Sequence, residues 1–157
     1  IMTQYKNLLL NNQLCFALYA ATNSIIRHYR IYLKEIGITY TQYLVLLVLW
    51  ESETLSIKEI AKVLKLDSPT ITPIIQKLEK MNLVKRQRSF IDERVVNVTL
   101  TKGGIDLEAQ VADIQNKVAC KTQLNTKEFN ELKETLNQLA ETMVEKEGKL
   151  DSLLKAK

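Results

Sequence analysis

Three features of this chain predict a mostly α fold with a small β-hairpin wing: a winged helix-turn-helix flanked by N- and C-terminal dimerisation helices. Glycine and proline are scarce, at 4 and 2 in 157 residues, so helices can run long without interruption. Residues 56–80 hold two short apolar-periodic segments joined by a tight turn, the second polar and basic on its outward face. Directly after them the helical period gives way to two β-branched, alternating runs around a charged tip.

Taken in order, Asn11 or Asn12 caps a first helix that runs to about Ile36 and is closed by Gly37. Leu14, Leu18, Ala21, Ile25, Tyr29, Leu33 and Ile36 recur at three- and four-residue steps, and Cys15, Tyr19 and Ile26 widen the stripe. A helix apolar over so much of its girth needs cover on two sides, its own domain and a second copy. Thr39-Tyr40-Thr41-Gln42 has capping-box spacing and opens a nearly all-apolar core helix through Trp50. Ser56-Ile57-Lys58-Glu59 is a second capping box, starting a short helix through Leu64, and Leu66-Asp67-Ser68 makes the turn.

Ser68 is the expected N-cap of the next helix, with Pro69 where no N–H is needed. Ile71, Ile74, Ile75 and Leu78 share its inward face. Thr70, Thr72 and Gln76 begin its outward face, which ends in Lys77 and Lys80. Small hydroxyls and an amide at a helix start suit the DNA major groove, so Ser68, Thr70, Thr72 and Gln76 are the candidate groove contacts. Pro73 removes the bond its N–H would make to Pro69 and is expected to bend the first turns, letting Thr70 and Thr72 project.

Runs 83–88 and 95–100 read as the strands of a hairpin with Ser89–Arg94 at its tip. Arg94 is placed to reach a minor groove, and Asp92 to pin that guanidinium or the turn. Lys77, Arg86 and Arg88 are the candidate phosphate contacts. Between Ser56 and Thr101 nine Lys/Arg face five Asp/Glu, whereas the rest of the chain carries thirteen of each sign. The whole positive excess therefore surrounds the proposed reading helix, as binding to double-stranded DNA requires.

Thr101 then caps a helix over 102–121, and Asn125-Thr126-Lys127-Glu128 opens the last one. In the latter, Phe129, Leu132, Leu136, Leu139, Met143, Leu150 and Leu153 follow the spacing of a paired-helix seam, interrupted by Lys146. The expected organisation is thus a helical dimerisation region, 1–38 with 102–157, around a DNA-binding domain at 39–101.

With two cysteines far apart, no C-x-x-C pair and one histidine, neither a metal site nor a cofactor is expected. No stretch approaches the ~18 apolar residues of a membrane span, so the expectation is a cytoplasmic protein without membrane contact.

Cys15 lies on the apolar stripe of the first helix, with Tyr19 one turn away and Tyr29 four turns away. Within one helix, fourteen residues at ~1.5 Å each separate Cys15 and Tyr29 by about 21 Å. If two copies of the helix cross antiparallel, Tyr29 of one approaches Cys15 of the other, and Tyr40 can join it. Phenolic hydroxyls there would favour a thiolate and orient a peroxide.

Asp92-Glu93-Arg94 followed, after five intervening residues, by Leu100-Thr101 resembles the wing signature of the multiple-antibiotic-resistance (MarR) regulators. The resemblance covers nearly the whole chain and implies a homodimeric repressor on pseudo-palindromic operators. Asn12–Ala20 and Ile38–Leu44 resemble the organic hydroperoxide resistance regulator branch. There the residue matching Cys15 is the peroxidatic sensor, and tyrosines matching Tyr19, Tyr29 and Tyr40 surround it. Cys120 resembles the resolving cysteine of two-cysteine members, which form an intersubunit disulfide. Staphylococcal-type global regulators share the single-thiol motif.

The resulting expectation is a repressor, not an enzyme, with organic hydroperoxides as inducer. A repressor released by a phenolic or lipophilic ligand, with Cys15 a bystander, is the alternative. A thiol peroxidase is the third reading, and it would leave the basic winged helix idle.

Overall fold

The computed structural model describes residues 3–155, with side chains through residue 144. Helix α1 spans Leu14–Glu35, and its N-cap is Gln13, not Asn11 or Asn12. The asparagines sit in a short 3-10 turn, Leu10–Asn12, where the Asn12 amide donates to the Lys6 carbonyl at 2.7 Å. Gln13 donates to the carbonyls of Asn7 and Leu9 and offers no side-chain cap to the helix. At the other end Gly37 takes φ +75°, and Ile38 N–H returns to the Leu33 carbonyl at 3.1 Å, the closure expected of a glycine there.

Both predicted capping boxes form. Thr39 Oγ1 accepts from Gln42 N–H at 3.3 Å, and Gln42 Oε1 accepts from Thr39 N–H at 2.8 Å, opening α2 (Tyr40–Glu51). Ser56 Oγ and Glu59 exchange the same pair of bonds at 3.2 and 2.7 Å to open α3 (Ile57–Val63). Helix α4 (Ser68–Lys80) follows, but its cap is Asp67, whose carboxylate accepts from Thr70 N–H at 2.7 Å. Ser68 is the first helical residue. Asp67 outcompetes it because an ionised oxygen makes the stronger bond to a helix N-terminus.

The wing strands are β2 (Val84–Arg88) and β3 (Val96–Leu100), within a residue of prediction. A third strand, β1 (Thr54–Ser56), was not expected; three residues are too few to show alternation. It pairs antiparallel with β3, Leu55 opposite Val98, so the sheet order is β1-β3-β2. Arg86 also stands opposite Val98, across the other edge of β3.

Thr101 caps as expected, accepting from Gly104 N–H at 3.2 Å, yet the single helix expected over 102–121 is two. Helix α5 (Lys102–Asp106) and α6 (Glu108–Lys121) are separated by Leu107. Gly103 and Gly104 weaken helix continuity, and the Trp50 indole N–H donates at 3.0 Å to the Gly104 carbonyl that residue 108 would otherwise use. Gly104 admits no side chain: a Cβ there would stand 2.1 Å from the Leu83 carbonyl oxygen.

Asn125 and Glu128 form a further capping box, at 2.9 and 3.0 Å, opening α7 (Thr126–Lys155). The chain divides into two compact units, Ile1–Val118 and Ala119–Lys157. In the first, Leu33 of α1, Leu46 and Leu49 of α2, Ile60, Ile71, Ile75, Leu78, Val84, Val98 and Val111 bury completely around the predicted central helix. Only Tyr29 and Leu33 of α1 are buried, leaving Leu14, Phe16, Tyr19 and Ile25 exposed. In the second unit Phe129, Leu132, Leu136 and Met143 of the expected seam are exposed and Leu139 is half-buried, while Lys146, Leu150 and Leu153 lie outside the described side chains.

Candidate nucleic-acid interface and thiol site

Three elements of the first unit hold the basic face. Helix α4 buries Ile71, Ile75 and Leu78, which aims Thr70, Gln76, Lys77 and Lys80 at solvent. Thr72 is half-buried, and its hydroxyl donates back to the Ser68 carbonyl at 2.8 Å. The hydroxyl hydrogen expected to project is therefore used inside the helix, leaving Thr72 an acceptor and a methyl to offer. Pro73 is accommodated within a helix that continues to Lys80.

Arg86 also differs from expectation. Its Nε donates to Glu79 Oε2 at 2.7 Å and its backbone N–H to Glu79 Oε1 at 2.9 Å, both side chains being one-third exposed (32%). This clip joins the last turn of α4 to β2, and it holds the Glu79 carboxyl below its usual range, chiefly through the Arg86 backbone N–H. The sequence signal was present as two opposite charges seven residues apart, but only the chain reversal at Met81–Leu83 brings them together. Arg86 thereby ties α4 to β2 through its Nε and its backbone N–H. Arg88, at the end of β2, is exposed.

At the wing tip Asp92 Oδ1 accepts from Arg94 N–H at 3.0 Å, while the Arg94 guanidinium stands 3.8 Å from the same oxygen and is 95% exposed. Asp92 thus pins the turn rather than the side chain. Beside Arg94 a cleft of about 300 Å³ is lined by Ser56, Lys58, Ser68 and the start of β3. Two cations and the Ser68 hydroxyl around one cleft suit a phosphate, while the Ser56 hydroxyl donates to Glu59 Oε2 at 2.7 Å. Lys58 and Ser56 were missed as site residues because their sequence role as helix starters hid their place beside the wing.

The thiol region has two parts. Cys15 is a free, exposed cysteine in the first turn of α1, and Tyr19, one turn on, is exposed as well. Tyr29 is instead buried at the far end of α1, where it meets Tyr40 and Tyr43 with ring centroids 5.2 and 5.0 Å away. Tyr29 and Tyr43 hydroxyls are 3.4 Å apart. Burial, then the hydrogen bond to Tyr29, pushes the Tyr43 phenol far above its ordinary value; burial and Tyr29 raise Tyr40. Tyr40 and Tyr43 are thereby held as uncharged phenols. Tyr43 escaped notice as a site residue because in sequence it reads as core. Against Tyr40 lies a cavity of about 520 Å³, lined also by Ile26, Ile38, Arg30 and Lys34. Cys120 is a free, exposed thiol in the last turn of α6.

Among the described residues no cluster of His, Cys, Asp and Glu could hold a metal ion, and no helix is long and apolar enough to cross a membrane.

Residues 27–111 match the family described as transcriptional regulator SarA/Rot. The organic hydroperoxide resistance transcriptional regulator of Bacillus subtilis is 38% identical over 91% of this chain and 97% of its own. Reduced AbfR bound to DNA superposes with a TM-score of 0.74 at 35% identity, covering 91% of this chain and 98% of that one. Disulfide-formed AbfR superposes at 0.62 with 36% identity, covering 87% and 90%; AbfR is a protein of Staphylococcus epidermidis.

Proposed function

The chain belongs to the MarR-type, SarA/Rot-related transcriptional regulators of the organic hydroperoxide resistance group, and from that membership we propose a homodimeric repressor that leaves its operator when Cys15 is oxidised. In the reduced dimer each α4 enters a major groove with Ser68, Thr70, Thr72 and Gln76, about one duplex turn apart, and each wing lays Arg94 in a minor groove. Lys77, Arg88 and Lys58 bind phosphates. The exposed apolar residues of α1 and α7 are covered by the second copy.

The Cys15 thiolate attacks the outer oxygen of an organic hydroperoxide. The O–O bond breaks, the alkoxide takes a proton and leaves as alcohol, and sulfur becomes a sulfenic acid. Cys120 of the partner subunit then attacks that sulfur; the S–S bond forms and the hydroxyl leaves with the thiol proton as water. Tyr19, and Tyr29 and Tyr40 of the partner subunit, orient the peroxide. The disulfide pulls on helices that set the spacing of the reading heads, and a covalent constraint of several kcal/mol is enough to swing a two-state dimer.

The observation that carries this reading is an exposed, free Cys15 on a helix face whose apolar neighbours Leu14, Phe16 and Tyr19 are uncovered. Operator gel shifts with cumene hydroperoxide test it on wild type, Cys15→Ser and Cys120→Ser, with non-reducing gels alongside. Release by wild type and not by Cys15→Ser is expected, with a reducible dimer band that Cys120→Ser lacks. Equal release by Cys15→Ser sinks the redox switch.

One observation favours a second reading. The cavity beside Tyr40 combines Ile26 and Ile38 with Arg30 and Lys34, a lining suited to a lipophilic or phenolic acid. Release by salicylate, undiminished in Cys15→Ser, would select it.

A further inference from the structure

The wing tip carries a feature that the hydrogen bonds and charges of the interface leave unexplained. Phe90 is 94% exposed and Ile91 99% exposed, side by side at the end of the hairpin. The apolar residues along the strands, Val84, Val96, Val98 and Leu100, are buried or half-buried. Folding gains nothing from the tip pair, which stands in water at the hydration cost of two large apolar side chains.

The tip is braced rather than loose. Ser89 N–H donates to the Val95 carbonyl at 2.8 Å and Val95 N–H to the Asp92 carbonyl at 2.9 Å. Ser89 Oγ accepts from the N–H groups of Ile91 and Asp92 at 3.2 and 3.4 Å, and Asp92 Oδ1 takes the Arg94 N–H. Five neighbouring backbone donors are thus tied, and Phe90 and Ile91 project from a preorganised turn. Their charged neighbours are Arg88 and Arg94 on one side of the balance and Asp92 and Glu93 on the other, with Asp92 already engaged by the turn.

Resting on the DNA-binding reading above, we infer that Phe90 and Ile91 form an apolar wedge that enters the minor groove beside Arg94, partly unstacks a base step and bends the duplex. The Arg94 guanidinium is almost fully exposed, with only a long 3.8 Å contact to Asp92, and a rigid pair of apolar side chains next to a groove-seeking arginine is the combination that kinks DNA from the minor-groove side. The bend brings the flanking phosphates toward Lys58 and Arg88. Burial of the two side chains offsets the lost stacking, so the wedge adds affinity that salt does not screen.

The test uses full-length protein and a duplex selected from a random-sequence pool by the wild type, with 2-aminopurine placed at successive steps under the wing. Wild type is expected to bend the duplex in a circular-permutation assay and to raise 2-aminopurine fluorescence at one step per half-site. Phe90→Ser/Ile91→Ser should bind roughly tenfold more weakly, with the bend and the fluorescence rise lost and the salt dependence unchanged. Arg94→Ala should instead flatten the salt dependence. Phe90→Leu/Ile91→Met keeps a wedge and should restore the bend. Because the tip is exposed, the unfolding midpoint serves as the folding control. Unchanged bending and fluorescence in the double-serine variant overturn the inference, as does a change in its oligomeric state with DNA affinity intact, which would make the tip a protein contact. Failure of the wild type to select any duplex would refute the DNA-binding reading itself, a separate outcome.

Discussion

Removing the Arg86 side chain should cost fold stability and spare the ionic part of DNA binding, the reverse of what a phosphate ligand would do. Arg86→Ala deletes the 2.7 Å bond from Nε to Glu79 but keeps the 2.9 Å bond from the backbone N–H. A charge-assisted hydrogen bond contributes about 1.5–3 kcal/mol when well shielded. Both partners here are one-third exposed (32%), so solvent screening brings the expected loss to about 1 kcal/mol. For a domain of this size that lowers Tm by about 2–4 °C. Lys77, in contrast, is exposed on α4, and its truncation should leave Tm in place. The assay pairs thermal unfolding with operator affinity across a salt series. Lys77→Ala should reduce the slope of log K against log salt by about 1 per subunit, and Arg86→Ala should leave it unchanged. A reduced slope for Arg86→Ala at unaltered Tm would refute the tie and return Arg86 to the phosphates.

Other outcomes follow from the same geometry. Glu79 is held below its usual range, so its contribution is present above pH ~4.5 and lost as pH falls through the depressed value; Glu79→Gln should be less stable than wild type at neutral pH and converge with it in acid, read by urea unfolding at several pH values. Gly104→Ala drives a Cβ to 2.1 Å from the Leu83 carbonyl oxygen and should cost about 3 kcal/mol or more, whereas Gly103→Ala, at 3.1 Å from the Asn82 carbonyl, should stay within about 1 kcal/mol; Trp50 fluorescence in urea measures both. Tyr29→Phe gives up only a long 3.4 Å bond and should change stability by under about 1 kcal/mol, yet raise several-fold the hydroperoxide needed for operator release in gel shifts.

Local chemistry was legible in the residues alone. The boxes at Thr39–Gln42, Ser56–Glu59 and Asn125–Glu128, the turn at Gly37 and the wing strands depend on contacts between positions three to five apart, or on a period of two, and a sequence displays both. The sequence also displays a thiol at Cys15 and the positive excess around α4, because those are matters of residue type and charge placement.

Whatever depended on distant chain segments meeting was decided by tertiary structure. Arg86 was brought to Glu79 by a reversal of the chain, and Tyr43 was drawn beside Tyr29 by the crossing of α1 and α2. The helix after Thr101 was divided where Trp50 claims the Gly104 carbonyl and Leu83 presses on its backbone. Strand β1 exists only because β3 offers it an edge. The reason is common to all four: a hydrogen bond or a ring contact needs atoms within a few ångströms, and for residues far apart in the chain only the packed core sets that distance.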